Sequence, residues 1–88
     1  MTAELIAKED IKEYKLIHAP ESHVHELRYK LQSALRLGNE FKSKSLITFQ
    51  TEEGPKKVET TVWSLTDAYL QLKGGILIPL YSLLDLEY

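Results

Sequence analysis

Apolar positions along this chain change their period once. Val24, Leu27, Leu31, Ala34, Leu35 and Gly38 recur at spacings of three and four, which lines them along one side of a helix over residues 22–37. From residue 45 onward the period falls to two, in short runs rich in β-branched and aromatic residues. Leu46-Ile47-Thr48-Phe49 predicts a first strand, and Val58 through Leu65 predicts a second after the reversal at Glu52-Glu53-Gly54-Pro55. Within that second run Val58, Thr60, Val62 and Ser64 share one face, with Val62 inward and Trp63 on the opposite side. Thr66-Asp67 separates it from a strand over residues 69–72, where Leu70 and Leu72 face one way and Tyr69 and Gln71 the other. Gly74-Gly75 provides the next reversal. Pro79 in the following run predicts an edge position or a strand end, because proline donates no ladder hydrogen bond. A helical turn at residues 81–83 then leads into the alternating segment 84–88.

These elements predict an α+β fold: an N-terminal amphipathic helix packed on a strongly bent antiparallel sheet of four or five strands, close to a small barrel. The helix has terminal signals to match. Ser22 suits the N-cap, Glu21 and Glu26 the positive end, Arg36 the negative end, and Gly38 a left-handed C′ residue. Residues 4–17 fit either a short helix from about Lys8 to Tyr14 or a leading strand ending at Ile17, and Pro20 closes the segment. One domain spans residues 1–88: an N-terminal segment 1–20, the helix 22–37 and a β-meander 45–88.

With 88 residues the domain buries only about 60–65 % of its unfolded surface, which makes a deep internal pocket difficult to build. No run approaches the roughly 18 apolar residues of a membrane span. The first residues lack the basic start and apolar stretch of a secretory signal, so a cytoplasmic location is expected. The absence of cysteine excludes disulfides, thiol nucleophiles, iron–sulfur clusters and cysteine zinc sites. Formal net charge is −2, but it is unevenly spread. Residues 27–44 carry Arg28, Lys30, Arg36, Lys42 and Lys44 against Glu40 alone, a local balance of +4 between two acidic segments.

Taken together, the helix, the Glu53-Gly54 turn, the strand from Thr60 to Leu65, Asp67-Ala68-Tyr69-Leu70-Gln71-Leu72, and Ile78-Pro79-Leu80 before a short turn and final strand resemble the Sm-like small barrels over residues 22–88. The resemblance implies a helix on a strongly bent sheet, assembly into rings through terminal strands, and uridine- or adenine-rich RNA bound at loop residues. Asp67 stands where that family's first motif has its aspartate, but the asparagine expected shortly afterwards is absent. Lys73-Gly74-Gly75 is similar to the basic-glycine pair of the second motif only in outline.

Candidate chemistry is sparse. His23 and His25, with His18 and Glu26, form the one metal-like cluster, yet residues two apart on a helix point about 200° from each other and cannot share an ion. Glu9-Asp10 and Glu52-Glu53 are neighbouring acids in polar surroundings, and Lys73-Gly74-Gly75 lacks the spacing and hydroxyl of a phosphate loop. The residues therefore predict a chain that is not an enzyme, with no catalytic residue, cofactor or metal. Two binding readings stand. The first is a non-enzymatic interaction or regulatory module that binds a protein partner or itself, using Trp63, Tyr69, Tyr81, Leu84, Leu86 and Tyr88, with the terminal strand open to edge pairing. The second is nucleic-acid binding through Arg28, Lys30, Arg36, Lys42 and Lys44, with Tyr29 or Phe41 for stacking. Core packing accounts equally for most of the aromatics. Solvation of the helix, together with pairing to Glu52, Glu53 or Glu59, accounts equally for the cations.

Overall fold

The computed structural model describes residues 3–20 and 24–88, with the backbone alone at Val24. The elements run β1 (Glu4–Leu5), a 3₁₀ helix (Lys8–Glu13), α1 (Val24–Phe41), β2 (Ser45–Thr51), β3 (Gly54–Thr60), β4 (Val62–Leu65), β5 (Tyr69–Leu72), β6 (Leu77–Pro79), a second 3₁₀ helix (Leu80–Ser82) and β7 (Leu83–Glu87). The class is α+β. The helix, however, lies in mid-chain rather than at the N-terminus, because the leading segment folds into structure of its own.

Two sheets form, in the orders β1-β3-β2-β7 and β4-β5-β6. They replace the single expected sheet, and no closed barrel results among the described residues, since β1, β7, β4 and β6 each have a strand partner on one side only. The expected antiparallel character holds for the meander, while β1 adds in parallel to β3. Thr61 is the corner. It separates β3 from β4, its hydroxyl donates to the Lys42 carbonyl at 3.4 Å, and its own carbonyl accepts the Lys73 N–H at 2.9 Å. One run of chain thereby leaves the first sheet and enters the second.

Alternation sets the core. In β2, Ser45, Ile47, Phe49 and Thr51 are buried and the residues between them are half-exposed. The hairpin to β3 is fixed by Thr51, whose hydroxyl donates to the Gly54 carbonyl at 2.6 Å and accepts the Glu53 N–H at 3.1 Å. Val58, Thr60 and Val62 face inward as predicted, as do Leu70 and Leu72, and Trp63 faces out. Ile47, Phe49, Val58, Val62, Leu70 and Leu72 join Leu27, Leu31, Ala34, Ile78, Leu83 and Leu86 in one apolar cluster. Each large member removed from water contributes roughly 1.5–3 kcal/mol before chain entropy is counted.

The 18 residues of α1 extend about 27 Å and pack against β4 and β7. Leu27, Leu31, Ala34 and Gly38 form its buried stripe. Gly38 is not the C′ residue, and Arg36 does not mark the negative end, because the helix continues to Phe41. A Cβ at Gly38 would lie 2.4 Å from the Val62 carbonyl oxygen, so only glycine lets the helix approach the corner this closely. The left-handed residue that ends the helix is Lys42, at φ 55°, whose N–H reaches the Gly38 carbonyl at 3.0 Å. The N-terminal signals at Glu21 and Ser22 lie outside the described residues.

The leading segment combines both alternatives expected of it. Lys8–Glu13 is helical and seats Ile11 in the core. Leu16 then bridges to Thr51, Ile17 N–H donates to Gln50, and Ala19 N–H donates to Tyr81 at 2.8 Å. The last strand departs from clean alternation. Register with β2 shifts so that Leu84 is an extra residue between Leu83 and Asp85, and Leu83 and Leu84 are both buried.

Candidate functional site

The five cations of residues 28–44 do not form one patch. At 100° per residue, Arg28 and Lys30 lie about 200° apart around α1, and Arg36 lies between them on the outer side. Lys30 is engaged with Asp85 of β7 at 3.6 Å. Tyr29 and Phe41, the proposed stacking residues, are exposed, but no helical face gathers the cations around them.

Lys42 and Lys44 have different surroundings. They follow the helix end and line a cleft of about 760 Å³ together with Lys8, Lys73, Glu9, Glu59, Asn39, Thr61 and Trp63. One wall is the leading segment from Leu5 to Glu9, the other is the end of α1, and the corner at Thr61 forms the floor. Trp63 reaches this cleft because it is an extra residue in β4: Val62 pairs with Leu72 and Ser64 with Gln71, which leaves the indole outside the regular ladder and 48 % exposed. Among the described residues none of the four lysines forms an ion pair. Glu52, one suggested partner for Lys42 and Lys44, instead meets Lys15 at 3.6 Å. Lys8 was not among the sequence candidates, and Lys73 entered only through its Gly-Gly turn. Nothing in the local pattern links residues 8, 42, 44 and 73.

The proposed interaction side chains divide into two groups. Leu84 and Leu86 are 8 % and 0 % exposed; Leu86 belongs to the core cluster, while Leu84 lies outside it and lines a surface hollow with Leu46, Thr48 and Asp85. Tyr69 and Leu77 are exposed on the outer face of the second sheet, where Tyr69 pairs with Pro79 across β5 and β6. Tyr81 is exposed just beyond β6, with one ring face stacked on His18 at 4.1 Å between centroids. Tyr88 is exposed after β7. Leu77, which sequence reasoning did not single out, completes an apolar strip beside the open edge of β6.

His25 is exposed on α1 and His18 is engaged with Tyr81, while His23 lies outside the described residues. Among the described residues no three metal-binding side chains converge, and no helix is long and apolar enough to cross a membrane. Lys56 donates to Glu4 at 2.7 Å and sits 5.3 Å from the Tyr14 ring centroid. That hydrogen bond, more than any other influence, holds the ammonium above its ordinary lysine range. No protein-family model, curated protein or solved structure matches the chain.

Proposed function

We propose that this chain is a non-enzymatic interaction module whose partner is a second copy of itself, joined through strand edges. The observation that carries this reading is that, among the described residues, both sheets end in strands paired on one side only: β1 and β7 in the first sheet, β4 and β6 in the second. An unpaired edge presents a row of backbone donors and acceptors, and pairing is the usual means of satisfying them. Of these edges, β6 has exposed apolar side chains beside it and β7 is the last strand of the meander, and a contact that joins β6 of one copy to β7 of the next is heterologous; such contacts propagate into rings or open filaments. Leu77 and Tyr69, exposed beside β6, supply the apolar area that backbone pairing alone lacks. The meander after a helix, the sharp corner at Thr61 and the short turn before the last strand support an Sm-like reading, and ring assembly through terminal strands belongs to that resemblance.

Sedimentation velocity over a range of protein concentrations tests the proposal. The expected result is a mass above that of the single 10.1 kDa chain, reduced to monomer by Leu77→Asp with the far-ultraviolet spectrum unchanged. A wild-type protein that stays monomeric at every concentration, or a Leu77→Asp variant of unaltered mass, refutes self-pairing at these edges.

A further inference from the structure

We infer that the cleft between the end of α1 and the leading segment binds a nucleotide, with its phosphates on the lysines and its base on Trp63. Four features of the cleft lead to this ligand class. Its volume of about 760 Å³ falls within the roughly 300–1,000 Å³ typical of small-molecule sites, and it is large for a chain of 88 residues. Its charged lining, Lys8, Lys42, Lys44 and Lys73 against Glu9 and Glu59, balances to +2 on a chain whose net charge is −2. The cleft thus carries a local positive balance that favours an anion.

Trp63 supplies the third feature. A tryptophan in a strand of so small a domain normally joins the core, where its large apolar area is most stabilising. Here the register shift in β4 turns the indole out beside the cations. An exposed indole next to lysines suits a ligand that carries a planar ring and a phosphate on the same molecule, since the ring stacks while the ammonium groups meet the charge.

The two glutamates are the fourth. A continuous polyanion laid along the cleft would meet Glu9 and Glu59 as repulsive charges. A single nucleotide does not, because its ribose hydroxyls and exocyclic amine are donors that a carboxylate accepts. Lys42 adds to the picture: it holds a left-handed backbone at φ 55° where helix ends more often carry glycine, and its side chain lines the cleft. Bound between the leading segment and the helix end, the ligand would also tie together two walls that the fold connects only through the floor.

The chain's only tryptophan is the one in the cleft, so its fluorescence reports on that site alone. The full chain is titrated with AMP and ATP, and separately with adenosine and with pyrophosphate, at low and at physiological salt, with inner-filter correction. Saturable quenching by AMP or ATP in the millimolar range or tighter is expected, with ATP the stronger of the two and more sensitive to salt. Adenosine and pyrophosphate are each expected to bind at least about tenfold more weakly than ATP. Lys44→Glu and Lys73→Glu, both at exposed positions, should each weaken ATP binding about fivefold or more, while Arg36→Glu on the far side of α1 should not. Calorimetry of Trp63→Leu, which has no fluorescence to lose, should show the nucleotide reduced to the affinity of pyrophosphate.

Three outcomes with the unmodified chain overturn the inference. They are no saturable response to any nucleotide; equal binding of pyrophosphate and ATP, which reduces the cleft to a site for any anion; and binding of single-stranded oligonucleotides with none of AMP or ATP. Persistence of ATP binding in the double variant Lys44→Glu/Lys73→Glu would place the ligand elsewhere and has the same effect. Self-association is measured independently by mass, so failure here leaves the edge-pairing proposal standing, and the converse holds.

Discussion

The outer faces of the two sheets are built on opposite plans. On the first sheet the register lines up Thr48 with Lys57 and Asp85, and Leu46 with Glu59 and Glu87, so charge and hydroxyl groups surround Leu46, and the exposed Leu5 lies beside Lys57 on the leading strand. On the second, Tyr69 faces Pro79 and Leu77 faces Gln71, with Tyr81 close by. The inner faces, by contrast, are alike: Ile47, Phe49 and Val58 on one sheet and Val62, Leu70, Leu72 and Ile78 on the other are fully buried. Folding alone requires the inner faces. The exposed apolar face of the second sheet is not needed for the core, and the proposed self-pairing uses it as the surface on which a partner's side chains rest.

The most demanding test of that contrast compares an inner with an outer aromatic. Phe49→Ala should cost about 3–5 kcal/mol in urea unfolding, the usual cost of an emptied core position, whereas Tyr69→Ala should cost under about 1 kcal/mol. Equal costs would mean that the second sheet's outer face contributes to the fold and is not set aside for a partner.

Gly38→Ala asks how rigid the seam between helix and corner is. Alanine in a helix ordinarily gains about 0.5–1 kcal/mol over glycine, but here its Cβ would press on the Val62 carbonyl, and overpacking against backbone typically costs about 1–3 kcal/mol. The variant should therefore be destabilised by about 1–2 kcal/mol in the same assay. A gain in stability would show that the corner yields easily.

Leu77→Asp should change particle mass while altering stability by no more than about 0.5 kcal/mol, since the side chain lies outside the core. The smallest effect is expected at the leading strand. Lys56 has a raised pKa in the folded chain, so its bond to Glu4 supports β1 fully below the unfolded lysine value of about 10.4. That support is lost as pH rises through the higher folded value. Amide exchange at Ile6, whose N–H donates to Lys57, should therefore accelerate above that range beyond its intrinsic base dependence, and Glu4→Gln should remove the extra acceleration.

Much of the architecture was legible in advance because it is local. Strand β5 was placed at its observed bounds by the alternation of Leu70 and Leu72, and the Pro79 signal for an edge or a strand end is met on both counts, β6 being an edge strand that ends at Pro79. Misreadings occurred where one residue type serves two physical ends. Gly38 was read as a helix terminator because glycine favours left-handed backbone, but its lack of a Cβ is used for close approach instead. Leu84 and Leu86 were read as interface residues because a terminal strand looks open. Both side chains are buried, Leu86 within the core cluster and Leu84 as the extra residue of a bulge. The five-cation island was contiguous in sequence, yet the helical period scattered three of its members around α1 and left only Lys42 and Lys44 facing a common space.

The sequence by itself determined the periods: where the chain is helical, where it is extended, where it must turn, and which side of each strand is apolar. These follow from propensity and burial within a few neighbouring residues. Only the tertiary structure decided that the strand path breaks into two sheets at Thr61 and that residues 8, 42, 44, 63 and 73 surround one cleft. Those outcomes depend on register and close approach between segments distant in sequence, which a pattern of apolar positions does not encode.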